Sequence, residues 1–128
     1  MEALANSSEV QAAKTVRKAA KCALTRVANT LKKSLILETG KKYDFLSLDK
    51  YSVEADATKL EKNLNALNES NEHYANVARE FLIKNKAADS VLNELDDSVD
   101  KYWTEARKEA TEILNLYKYE YSTALGAT

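Results

Sequence analysis

Between Val53 and Phe81 the residues at alternating steps of four and three are Val53, Ala57, Leu60, Leu64, Leu67, Asn71, Tyr74, Ala78 and Phe81. All are apolar except Asn71. This is a heptad seam, the pattern that keeps one stripe of an α-helix against neighbouring helices. The positions between are mostly Lys, Glu, Asn, Asp and Ser, so the remaining faces are wet. A lone helix would leave the stripe in water; the rest of the chain must therefore supply partner helices.

The 128 residues fit one domain, read as a single helical domain over 1–128. Proline is absent and glycine occurs only at Gly40 and Gly126, and no stretch alternates as strands do, so the expected fold is all-α: an antiparallel three-helix bundle or long coiled-coil hairpin. Formal net charge is −1, but unevenly spread. Up to Leu37 the bases Lys14, Arg17, Lys18, Lys21, Arg26, Lys32 and Lys33 face only Glu2 and Glu9, an excess of roughly +5, and the remainder is correspondingly acidic. Cys22 is the one cysteine, which precludes an internal disulfide and suits a reducing compartment. No run approaches a membrane span, the first residues lack a signal peptide's apolar core, and Glu2 stands where N-myristoylation needs glycine.

Three helices are expected, at about 9–37, 48–85 and 90–121, between frayed termini. Ser7 or Ser8 caps the first, with Ser8 and Gln11 forming a capping box. Its seam is Val10, Ala13, Arg17, Ala20, Leu24, Val27, Leu31 and Leu35, widened by Val16 and Ala23, with Ile36 strengthening its later half. Gly40 suits a left-handed helix end. Tyr43, Phe45 and Leu46 fold back over the bundle end, and Ser47, with Asp49 behind it, or else Ser52, starts the second helix. A short link at Asn85–Ala88 makes the second and third helices antiparallel. Asp89 or Ser90 caps the third, whose seam is Leu92, Leu95, Val99, Tyr102, Ala106, Ala110, Ile113 and Tyr117. Leu64 and Leu67 are expected at the centre of the core.

Chemistry-bearing residues are sparse. His73 has no second histidine or cysteine nearby to build a zinc site, and reads as a surface residue. Cys22 sits between seam residues Ala20 and Leu24 and reads as a packed or half-exposed thiol. The sequence has no Glu-x-x-His pair, phosphate-binding glycine loop or nucleophile elbow, so no enzyme, cofactor or metal is expected. Asn71 has two readings: a buried amide that fixes helix register, or a seam open locally to water. On the first, Asn71→Leu raises stability and broadens the oligomer distribution.

Lys14, Lys18, Lys21, Arg26 and Lys32, with Arg17, form a basic side of the first helix. It either meets RNA or an anionic membrane, or pairs with the acids Asp89, Glu94, Asp96, Asp97 and Asp100. Internal or solvated charge is the favoured reading. In the run Tyr117-Lys118-Tyr119-Glu120-Tyr121, Tyr117 packs while Tyr119 and Tyr121 form an exposed contact patch.

Three stretches resemble the N-terminal helical region of Gag-like polyproteins from Bel/Pao-type retrotransposons. The first is Lys18-Ala-Ala-Lys21-Cys-Ala-Leu-Thr25-Arg26-Val-Ala-Asn-Thr-Leu31, similar to the family's basic helix with its Lys-x-x-x-Thr-Arg core at Lys21, Thr25 and Arg26. The second is Thr58-Lys59-Leu60-Glu61-Lys62-Asn63-Leu64, and the third Leu95-Asp-Asp-Ser-Val-Asp-Lys-Tyr102-Trp103, similar to an acidic helix with paired aromatics. The resemblance implies a non-enzymatic, cytoplasmic segment of a polyprotein that self-associates around element RNA. The ending Gly126-Ala-Thr128 fits a fragment of a longer protein. Expected partners are a second copy or another helical protein, with RNA or an anionic surface held weakly at most. A host coiled-coil adaptor, similar in layout to a spectrin repeat, is the alternative.

Overall fold

The computed structural model describes residues 2–40 and 50–121, with side chains over 2–33 and 53–119. The chain is an all-α three-helix bundle of α1 (Ser8–Gly40), α2 (Lys50–Lys84) and α3 (Asp89–Leu116). A 3₁₀ turn at Glu2–Asn6 precedes α1, and a π-helical segment at Tyr117–Tyr121 continues α3. The link around Tyr43, Phe45 and Leu46, a cap at Ser47 with Asp49, the packing of Leu35 and Ile36, and the side chain of Tyr121 lie outside the described residues.

Contacts divide the chain into two compact units, Met1–Cys22 with Asn65–Ala106, and Ala23–Leu64 with Arg107–Thr128. In the first, Leu4, Val10, Ala13, Tyr74, Ala78, Leu82 and Leu95 form one buried cluster, flanked by half-buried Phe81, Val91, Leu92 and Val99. Early α1 thus lies beside late α2 and early α3, so here α1 and α3 run parallel and α2 runs against both. In the second unit the buried apolar residues include Leu24, Ala28, Leu31, Val53, Ala57, Leu60, Ala110, Ile113 and Leu114.

The seams hold at most positions, and the exceptions are informative. Val16, expected to widen the buried stripe, is 58 % exposed. Leu67 is fully buried but Leu64 only half so, and Leu82 rather than Phe81 fills the core at the end of α2. The expected frayed start is instead the 3₁₀ turn, which buries Leu4. Ser7, not Ser8, caps α1: its Oγ accepts from the backbone N–H of Val10 at 3.2 Å. Gln11 makes no capping box with Ser8; its Nε2 donates to the Leu4 carbonyl at 3.1 Å and ties the turn down.

The helix end expected at Gly40 runs into residues 41–49, outside the described residues; among the described residues a positive φ belongs to Lys86, at 56°. Lys86 sits at the end of α2. Its N–H donates to the Ile83 carbonyl at 3.0 Å, and that of Ala87 to the Leu82 carbonyl at 2.9 Å. These two bonds make a Schellman motif, and Ala87 packs on the cluster that contains Leu82, as the motif's hydrophobic contact does. Ser52 lies inside α2 rather than at its start. The Ala88 carbonyl, not Asp89 or Ser90, precedes the first turn of α3 and accepts from Leu92 at 3.2 Å; Asp89 is the first helical residue, where its charge complements the helix dipole.

Candidate functional site

Arg17 occupies a seam position of α1, one turn from small Ala13 and Ala20, and the heptad geometry carries it inward. It is 7 % exposed. Its guanidinium lies between two aromatic rings, 4.0 Å from the centroid of Tyr74 on α2 and 3.8 Å from that of Tyr102 on α3. Arg17 Nη1 donates to Asn71 Oδ1 at 3.0 Å, and Asn71 Nδ2 donates to the Val99 carbonyl on α3 at 3.2 Å. Asn71 is buried and both ends of its amide are used, which removes the wet-seam reading. All of these residues belong to the first unit.

Electrostatically this is a buried cation held by aromatic faces and an amide. Burial lowers the Arg17 pKa, opposed by Tyr102 and Tyr74, and the guanidinium remains charged at neutral pH. Burial likewise raises the Tyr102 hydroxyl, opposed by Arg17 and reinforced by Cys22. The ring faces act through their quadrupole, so a desolvated cation–π pair is worth about 2 kcal/mol or more.

The basic side is elsewhere on the same helix. Lys14, Lys18, Lys21 and Arg26 are exposed, and the Lys21 ammonium lies 5.4 Å from the Tyr102 ring centroid. Ion pairs among the described residues include Lys32–Glu109 at 3.8 Å, Lys118–Glu61 at 3.7 Å and Arg79–Asp96. None of these pairs joins Lys14 or Lys18 to the acids between Asp89 and Asp100, and both lysines are exposed. Asp96 turns instead to Arg79 on α2, whose pKa its hydrogen bond raises.

Tyr119 is 73 % exposed, while Tyr117 is half-buried and its hydroxyl is raised by burial first, then by Glu54 and Glu61. His73 and Cys22 are exposed. Among the described residues no group of three or more His, Cys, Asp or Glu is placed to hold a metal, and no helix is long and apolar enough to cross a membrane.

From sequence, Asn71 stands out, while Arg17 is placed in the seam of the first helix and on its basic side without a task of its own. The available signal was a cation at a seam position flanked by alanines, with aromatic seam residues on both other helices. Comparison with known proteins gives no match: no family model fits the chain, and no curated protein or solved structure is similar to it.

Proposed function

We propose that the chain is a non-enzymatic self-association module whose partner is a second copy of itself. The observation that carries this reading is the outward apolar row on α1. Val16 is more than half exposed, and Ala12 and Ala19, at heptad steps on either side of it, are exposed too. This row is separate from the seam that α1 buries in its own bundle, and a second helical surface would cover it. In the setting implied by the resemblance to retroelement Gag-like polyproteins, the module would assemble in the cytoplasm, with Lys14, Lys18, Lys21 and Arg26 turned towards element RNA.

Light scattering over a dilution series tests the reading, with Val16→Glu as the probe. A wild-type mass that rises with concentration, and a monomeric Val16→Glu protein of unchanged melting temperature, is the expected result. A single monomer mass for wild type at every concentration overturns it.

A further inference from the structure

We infer that the Arg17–Asn71 layer is a register lock: it selects the alignment in which the three helices pair, a task the apolar seams cannot perform alone. The seams repeat every seven residues, so sliding one helix by a heptad still sets apolar residues against apolar residues. A slip of α1 by one heptad brings Val10 to the level of Asn71 and removes Arg17 from between Tyr74 and Tyr102. The Asn71 oxygen then loses its donor, and the guanidinium loses both rings and its acceptor at once.

Three features make this layer selective. Its parts come from all three helices: Arg17 from α1, Asn71 and Tyr74 from α2, and Tyr102 with the Val99 carbonyl from α3. A single layer therefore reads the alignment of all three together. Its charge is answered by two planar faces and one amide, each fixed in orientation by its helix, whereas a flexible surface carboxylate could follow a slipped lysine. The pairs Lys32–Glu109, Arg79–Asp96 and Lys118–Glu61 join exposed side chains of that adaptable kind. Finally, Arg17, Asn71 and Tyr74 are buried, with Tyr102 and Val99 half-buried at the edge of the layer, so water is a poor substitute for the native partners. A polar interior position that fixes helix register is an established use of such groups. The lock acts within one chain, and so stands or falls separately from self-association.

The test compares wild type with Arg17→Met/Asn71→Leu, which keeps volume in the layer and removes its polarity. Spin labels are placed at Cys22 on α1 and at Asn93→Cys on α3, both exposed and both in the unit that holds the layer. Labelled protein is diluted with unlabelled protein so that only distances within a chain are read, by double electron–electron resonance, with helicity followed by circular dichroism. Wild type should give one narrow distance. The apolar variant should remain helical and add a second population displaced by ~10 Å, one heptad of helix rise. One unchanged narrow distance in the folded variant overturns the lock. An unfolded variant overturns it equally, since the layer would then supply stability rather than alignment.

Discussion

Replacing Arg17 and Asn71 singly and together separates what the buried cation contributes from what it costs. Arg17→Met removes one charge-assisted hydrogen bond and two ring contacts, and it also removes the several-kcal/mol cost of keeping a guanidinium out of water. These opposing terms leave mainly the stranded Asn71 oxygen, a loss of about 1–3 kcal/mol. Asn71→Leu alone also destabilises. It leaves the guanidinium of a residue that is 7 % exposed without its amide acceptor, and losing a hydrogen bond to a buried charged group costs up to about 3 kcal/mol. This reverses the expectation from sequence that Asn71→Leu would stabilise the fold, because Arg17 depends on the amide. In the double variant neither orphan exists, and its stability should lie within about 1 kcal/mol of wild type or above it. Urea unfolding followed at 222 nm gives the four free energies, and the coupling should exceed about 1.5 kcal/mol, well above the few tenths expected of independent sites. Additive losses would refute the reasoning, for they would mean that Arg17 and Asn71 act on different parts of the fold.

Other expectations follow from single features. Lys86→Gly relieves a left-handed residue with a side chain and should raise stability by about 1 kcal/mol in the same assay; a loss would mean that the lysine side chain makes a contact of greater worth. Tyr102 and Tyr117 both have folded pKa values raised by burial, so their contribution is intact below the unfolded tyrosine value of about 10 and is lost as pH rises through the folded values. Melting temperature should therefore fall above about pH 10 in step with late tyrosinate absorbance at 295 nm, and early titration of all the tyrosines would contradict it. For the basic side, wild type should bind single-stranded RNA at only ~10⁻⁴ to 10⁻⁶ M at physiological salt, falling steeply as salt rises. A Lys14/Lys18/Lys21→Gln triple variant should lose this binding at an unchanged melting temperature, and equal, negligible binding by both proteins would remove RNA from the role of these lysines.

The helices were legible because a heptad pattern specifies which residues turn inward without reference to anything distant. Leu24, Leu31, Leu60, Leu67, Leu95 and Ile113 are buried as their spacing requires. Periodicity says less about which residues meet. Arg17 was readable as a seam position, but its enclosure by Tyr74 and Tyr102 depends on the relative alignment of three helices, which no one helix encodes. The helix ends were harder still. Ser7 and Ser8 are equivalent as cap chemistry, and the choice between them falls to the turn before α1, where Leu4 is buried and Gln11 holds its carbonyl. A left-handed helix end was expected at Gly40 alone, whereas Lys86 takes that conformation because two backbone hydrogen bonds and the Ala87 contact hold it there. The exposure of Val16 escaped sequence reasoning for the opposite reason: its place beside the seam says nothing of how far the neighbouring helices reach around α1.

The tight turn at Lys86 also bears on the order in which the molecule assembles. It brings α2 and α3 together through contacts close in sequence, such as Arg79 with Asp96, 17 residues apart, whereas Arg17 and Asn71 are separated by 54. Closing the longer loop costs about 1 kcal/mol more in chain entropy. The hairpin of α2 and α3 is thus favoured to form first, offering an amide and two tyrosine faces before any cation arrives. On this account α1 docks last, and its guanidinium sheds water only when a site already shaped for it exists. Pulse-labelled hydrogen exchange during refolding would show the α1 amides around Arg17 gaining protection after those of α2 and α3, and simultaneous protection would exclude this order.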